Sequence, residues 1–463
     1  MKDNNTDQIL RYNGLLEQLL SAATVDGKKD DSLILHLVGE LAFYDDLGYW
    51  NVRSLNHYLL ALKKQGTLNG MAIIRYNLRH FTQIHLILGS QYGNAILWKH
   101  YKRMEELVGE KGKAARMNGD NFVAVCDRAH LDALLDFLTE TEIHYGEGRE
   151  QSITITANAG VYIFPDDYMF TSEDDVRSKV FSCYMAAMSG AQGQIVLYNE
   201  EVAQKRVRVT RLQQDFAHAL EEGEFYPVYQ PKVSVRTGKI CGAEALCRWN
   251  RNGENISPGE FIPALEESSD ICRLDFFILE CVCRDIRRWL DKGIEVVRVS
   301  VNLSRRHMLN RNLLSDIVRC VDAHGVPHRC LEFELTETTT DVEFNDLRRV
   351  VKGLQEFGFS TAVDDYGVGY SSLNLIKTIP WDVVKLDRSI LPFTEEHYRG
   401  TPGNLLKHIV AIMKEMGLHC VAEGVETEEQ LAVLKETECD MIQGFLFYRP
   451  MPAETFAERL LSL

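Results

Sequence analysis

Asp364 and Asp365 stand side by side at the end of a short apolar run, Thr361–Val363, and glycines follow at 367 and 369. Adjacent carboxylates repel, and desolvation adds to the cost of keeping both ionised, so a cation of high charge is the usual remedy. Taken alone, the pair reads more simply as a polar turn with Asp365 capping the next helix. Six further apolar runs, however, also deliver polar groups near their ends. Glu244 sits in Gly-Ala-Glu-Ala-Leu, Asn302 in Val-Ser-Val-Asn-Leu-Ser, and Glu334 with Glu337 in Glu-Leu-Thr-Glu. Lys385 lies in Val-Val-Lys-Leu-Asp, Glu423 with Glu426 in Ala-Glu-Gly-Val-Glu, and Gln443 in Met-Ile-Gln-Gly. Structural salt bridges explain one or two such groups, not so large an acidic excess. Oxygen ligands with one amide and no thiolate or imidazole select hard cations such as Mg²⁺ or Mn²⁺. Asp364 and Asp365 suit the bridging of two ions ~3.5–4 Å apart, the arrangement of two-metal phosphodiester cleavage. Lys385 can hydrogen-bond the attacking water without competing as a ligand.

Those groups must be carried by elements that converge. Strands are expected near 225–235, 240–247, 296–303, 331–336, 360–365, 383–387, 419–424 and 441–447, separated by helical stretches, which predicts an irregular (β/α)8 barrel with its site at one mouth. The first two strands are joined by Arg236-Thr237-Gly238-Lys239, too short for a crossover helix, so that pair must be antiparallel. Upstream, strands near 71–76, 114–126 (a hairpin turning at Asn118-Gly119-Asp120), 152–164 and 194–198 alternate with helices near 83–107, 130–139 and 174–188, giving an α/β sandwich. Residues 1–66 read as helical, with Leu10, Leu15, Leu16, Leu19 and Leu20 on one apolar face, and 32–43 and 52–62 as further amphipathic stretches. The expected organisation is thus a helical segment (1–66), an α/β domain (67–199), a helical linker (200–222) and the barrel (223–463).

Composition narrows the chemistry. The formal net charge of -16 over 463 residues argues against a duplex nucleic-acid binder. No apolar run reaches the ~20 residues of a membrane span, and the polar start Met-Lys-Asp-Asn lacks the apolar core of a signal peptide. Eleven cysteines with no Cys-x-x-Cys pair fit reduced thiols and a cytoplasmic setting.

Arg116-Met-Asn-Gly-Asp-Asn-Phe-Val123 resembles a degenerate GGDEF hairpin, the signature of diguanylate cyclase domains. Asn118 replaces the first glycine and Asn121 the metal-binding glutamate. Asn77 stands where the family places an aspartate, with Arg79, Phe81 and Thr82 following, and Gly109 and Gly112 replace the product-binding Arg-x-x-Asp. The resemblance therefore implies no cyclase activity, with GTP binding or a structural role as the remaining alternatives.

In the second half, Tyr229-Gln-Pro-Lys232, Glu244-Ala-Leu-Cys-Arg-Trp249, Glu260-Phe-Ile-Pro263, the Asn302 segment, Glu334-Leu-Thr-Glu337, Asp364-Asp365, Lys385-Leu-Asp387, Glu423-Gly-Val-Glu426 and Gln443-Gly-Phe445 closely resemble the EAL-domain phosphodiesterases of cyclic di-GMP. That resemblance implies hydrolysis to linear pGpG with two Mg²⁺ or Mn²⁺ ions. It assigns Glu244, Asn302, Glu334, Asp364, Asp365 and Glu423 to the metals and Lys385, with Glu423, to the attacking water. Glu337 would tether the loop after Asp365. Gln230, Leu246, Arg248, Asp387, Glu426 and Gln443 would meet substrate or complete the site, and a homodimer through the EAL domain is implied. Tyr366 and Val368 depart from the family's Phe and Thr in that loop. A catalytically silent cyclic-di-GMP receptor is the competing reading; such variants typically lose ligands at the Glu244, Asp364 or Lys385 positions, all retained here.

Overall fold

The computed structural model describes residues 38, 42–45, 47–146, 151–170, 172–188, 194–336, 341–367, 373–391 and 401–462. The chain divides into two compact units after Arg208.

In the first unit, helix α1 (Val52–Gln65) starts where the Asn51 side chain accepts the Ser54 N–H and stops at Gly66, whose φ of 67° is left-handed. Strand β1 (Met71–Leu78) leads to α2 (Phe81–Leu107), the β2 (Lys113–Asn118) and β3 (Asn121–Asp127) hairpin, and α3 (Arg128–Thr139). Then come β4 (Thr141–Tyr145), β5 (Gln151–Ile155), β6 (Ala157–Ile163), α4 (Glu173–Met188) and β7 (Ile195–Leu197). The sheet order is β2-β3-β1-β6-β7. Alternation along β1 sends Ala72, Ile74, Tyr76 and Leu78 into one core with α2 and α3. Met71 and Ile73 pack on the other face with Leu55, Leu59 and Leu62 of α1 and Val176 and Val180 of α4.

Two expectations change here. The single strand near 152–164 is two strands: β5 pairs with β4 in a separate two-stranded sheet, while β6 joins the main one. The break falls at Thr156, whose carbonyl accepts the Arg79 N–H (2.9 Å) instead of continuing a ladder. The long helix near 83–107 begins at Phe81 and is interrupted at Gly89, where φ 81° and ψ 160° are non-helical.

Helix α5 (Glu200–Glu221) precedes the second unit's strands, and its Leu212, Phe216 and Ala219 join the barrel core. Strands β8 (Phe225–Ser234) and β9 (Ile240–Arg251) are antiparallel, as their short turn requires. Strands β11 (Arg298–Asn302), β12 (Leu331–Thr336), β13 (Ser360–Tyr366), β14 (Val383–Leu386), β15 (His419–Glu423) and β16 (Met441–Gln443) follow in parallel, and β16 closes on β8 antiparallel. A short β10 (Glu254–Ile256) extends β9 outside the ring. The intervening helices include α6 (Pro258–Ser268), α7 (Ile271–Asp291), α8 (Leu313–Ala323), α9 (Asp341–Glu356), α10 (Leu373–Thr378), α11 (Thr401–Glu415) and α12 (Glu428–Glu436), with α13 (Ala453–Leu461) last. Among the described residues no helix is long and apolar enough to cross a membrane.

Alternation splits every barrel strand into an outward and a luminal set. Val299, Val301, Phe333, Leu335, Val363, Val384, Leu386, Cys420 and Ala422 face out into the helix-covered core. Inside, Ala362, Val383, Val421 and Met441 form a small apolar floor on the β13–β16 side. The last strand ends at Gln443 rather than near 447. A Cβ on Gly444 would lie 2.1 Å from the Val425 carbonyl oxygen, and that close approach marks where the chain turns off the sheet.

Candidate active site

Above the floor, the next luminal position of each strand is polar. Lys385 of β14 is the hub. Its Nζ lies 2.6 Å from Glu334 Oε2, 2.9 Å from Glu423 Oε1, 3.0 Å from Asp364 Oδ1 and 3.4 Å from Glu244 Oε2. Glu244 in turn accepts from Asn302 Nδ2 (2.9 Å) and Gln443 Nε2 (2.7 Å), and Gln443 Nε2 also reaches Gln230 Oε1 at 3.1 Å. Eight of the residues expected from sequence thus meet in one connected set drawn from eight strands.

The aspartate pair is positioned by an irregularity. The β13–β14 register shifts between Val363 and Tyr366, a bulge that re-aims the side chains between them. Asp365 takes a left-handed φ of 57°, unusual for a residue with a Cβ, and its N–H donates to Asp364 Oδ1 (2.9 Å). A ligand oxygen of Asp364, Asp365 and Glu423 can each lie within 4.8 Å of the other two.

Not every expected residue joins this set. Leu246 and Arg248 share the luminal face of β9 with Glu244, two and four residues on, but Arg248 Nη1 donates to the Cys247 carbonyl (2.8 Å). Asp387 caps a 3-10 turn by accepting the Ser389 N–H (2.8 Å). Exposed Glu426 follows β15, and its N–H donates to Gln430 Oε1 at the start of α12 (2.8 Å). Glu337 and Val368 lie outside the described residues.

Sequence reasoning missed a layer beneath. Lys232 Nζ donates to Glu334 Oε1 (2.8 Å), Glu332 Oε1 (3.0 Å) and Ser300 Oγ (2.6 Å), and Glu332 accepts from Ser300 and Ser360 hydroxyls. The signal was the strand period of two: Lys232, Ser300 and Glu332 are two residues from Gln230, Asn302 and Glu334 and so share their faces.

The electrostatics are lopsided. At the mouth five carboxylates (Glu244, Glu334, Asp364, Asp365, Glu423) accompany Lys385, a formal excess of four, while in the layer beneath Glu332 faces Lys232 and, at 3.8 Å, Arg298. Burial opposes the charge of Glu334, but Lys232 and Lys385, each on one oxygen, outweigh it and hold the carboxyl down to about 2. Glu423 is pushed up to about 8 by burial, with Lys385 opposing and Asp364 and Glu244 adding. Burial also raises Asp364 and Glu244. Gln443 Oε1 is buried with no hydrogen-bond partner. An acidic excess of four, hard oxygen donors and an orphaned carbonyl oxygen fit two divalent cations.

In the first unit, Asn77 and Asn121 are direct cross-strand partners, and Asn121 Oδ1 accepts from Tyr184 (2.9 Å). Neutral amides face each other at the hairpin.

The family profile "EAL domain" matches residues 213–450, and "Diguanylate cyclase, GGDEF domain" matches residues 42–179. Among curated proteins, the chain is 27% identical to "Cyclic di-GMP phosphodiesterase NbdA" of Pseudomonas aeruginosa over 91% of this chain and 54% of that protein. It is 30% identical to "Bifunctional diguanylate cyclase/cyclic di-GMP phosphodiesterase MucR" of the same organism, over 83% of this chain and 56% of that one. The chain thus spans about half the length of these curated relatives. A solved structure of Vibrio cholerae LapD, "S helix-GGDEF-EAL (bound to c-di-GMP)", shares the fold at TM-score 0.59 and 18% identity, over 90% of this chain and 99% of that one. The profile match covers the whole polar-mouthed barrel, and the chain therefore belongs to the EAL-domain family, with a GGDEF domain preceding its EAL domain.

Proposed function

We propose that this chain is a metal-dependent phosphodiesterase that hydrolyses cyclic di-GMP to linear pGpG, its GGDEF domain serving as a regulatory or structural module without synthetic activity. The observation carrying this reading is the ring of carboxylates around Lys385, which outnumber its ammonium by a formal four at the barrel mouth. The names borne by NbdA and MucR support the substrate.

Glu244, Asn302, Glu334, Asp364, Asp365 and Glu423 would hold two Mg²⁺ or Mn²⁺ ions. Bound there, the ions supply charge neutralisation at the phosphoryl oxygens and a water that ionises near neutral pH. The chain's own contribution is orientation. Lys385, held among four carboxylates, would position the attacking water, with Glu423 beside it. Gln230 and Gln443 offer amides, and Leu246 an apolar surface, to the nucleotide. Arg248 suits the phosphate that is not cleaved, and Asp387 and Glu426 border the entrance. In the GGDEF domain the paired amides of Asn77 and Asn121 carry no charge to hold a metal, which leaves GTP as at most a bound ligand. The EAL domain is assigned the homodimer contact.

The test is incubation of the full chain with cyclic di-GMP and Mn²⁺ or Mg²⁺. The expected product is pGpG, lost on adding EDTA, with no cyclic di-GMP made from GTP. Tight binding of cyclic di-GMP without pGpG would contradict this reading in favour of a silent receptor.

A further inference from the structure

We propose that Lys232 is a positioning residue for Glu334, holding one of its oxygens so that the carboxylate is presented to the metal in a single orientation. This rests on the reading of the mouth as a two-metal site.

The argument starts from the floor of the barrel. On the β13–β16 side the layer below the polar ring is apolar, made by Ala362, Val383, Val421 and Met441. On the β8–β12 side the same layer is ionic, made by Lys232, Ser300 and Glu332. Packing does not require that difference, because one half of the floor is already apolar. Stability is a weak explanation too, since a buried ion pair replaced by apolar groups of like volume is often neutral or stabilising. The ionic half lies one luminal step below Glu334 and Asn302, and its ammonium touches Glu334 directly (2.8 Å).

Gly242 of β9 is the cross-strand partner of Lys232. Lys232 is 2% exposed, with three oxygens around its ammonium, the full capacity of its N–H donors. Glu332, gripped by Ser300 and Ser360, neutralises it. Arg298 Nη1 also lies 3.8 Å from Glu332 Oε2, so this layer carries no acidic excess, and the excess belongs to the ring above. Glu334 thus has one oxygen on Lys232 and the other on Lys385. This is the role that partners behind a metal ligand play elsewhere, where their loss costs ~10–100-fold in metal affinity.

The test uses the charge-balanced double variant Lys232→Met with Glu332→Gln in the full chain, which removes one charge of each sign. Calorimetric titration with Mn²⁺ is expected to give ~10–100-fold weaker binding than wild type, at a similar melting temperature without metal. In kinetics, the Mn²⁺ needed for half-maximal rate rises by the same factor, while KM for cyclic di-GMP at saturating Mn²⁺ stays put. Mn²⁺ affinity within about twofold of wild type in a folded double variant overturns the proposal and leaves the two-metal reading intact. A wild-type chain that takes up no Mn²⁺ overturns both. Should the Met variant not fold, Lys232→Gln in the Glu332→Gln background, which keeps a polar head at that place, is titrated and read by the same two outcomes.

Discussion

Lys385 touches four carboxylates that are also candidate metal ligands, so its substitution separates two roles. A residue whose ammonium holds those carboxylates together is a competitor of the metal for them; one that orients the attacking water acts on the rate. Lys385→Met removes the competitor, so Mn²⁺ should bind at least as tightly as in wild type. The same variant should lose ~100-fold or more in kcat with little change in KM. Weaker Mn²⁺ binding together with an unchanged kcat at saturating metal would contradict the assignment. Most of the ring was legible at this scale, because a charge in an apolar strand is costly and seven strands each carried a polar group at its end. Lys232 entered only as the end of the Tyr229–Lys232 motif and Glu332 not at all, because each lies one strand period from a residue that already explained its stretch. Only register shows that they reach Glu334 from below.

At the scale of elements, the loop that leaves β11 just after Asn302 is pinned to α7 by a single carboxylate. Asp275 Oδ2 accepts the Ser304 N–H (2.8 Å) and faces His307 Nε2 (3.0 Å). Burial disfavours charge on His307, but the hydrogen bond it donates to Asp275, with Cys272 contributing, outweighs it and raises the imidazole to about 9. A raised folded value means that the stabilisation is fully present below the unfolded value of ~6.5 and fades as pH rises through 9. The shift corresponds to on the order of 3 kcal/mol for this buried pair. His307→Gln should therefore remove a loss of thermal stability that wild type shows between pH 7 and 9; parallel melting curves of the two proteins across that window would refute it. The barrel strands themselves were readable from apolar runs and turns. The split of the 152–164 stretch was not, because Thr156 is a good strand residue and the break is made by a backbone group 77 positions away, Arg79 N–H. The end of β16 was hidden for the same reason, since Gly444 is shaped by Val425, just past the neighbouring strand β15.

At the scale of the whole molecule, each unit has buried clusters of its own among the described residues. The barrel's buried cluster runs from Leu212 to Leu460, and the first unit's two clusters from Tyr49 to Val180, with no residue shared. Each unit thus carries a hydrophobic term of its own, the term that dominates folding. Every ring residue, from Gln230 to Gln443, belongs to the second unit. A fragment of residues 209–463 should accordingly fold, melt cooperatively and hydrolyse cyclic di-GMP with the metal dependence of the full chain. Whatever differs between fragment and full chain in kcat, KM or response to added GTP is then the contribution of the GGDEF unit. If that unit regulates, the difference should exceed about threefold, or GTP should shift the full chain and leave the fragment untouched. A fragment that folds but has no activity while the full chain is active would show that the barrel mouth is incomplete alone. Equal kinetics with and without GTP would assign the first unit a purely structural part.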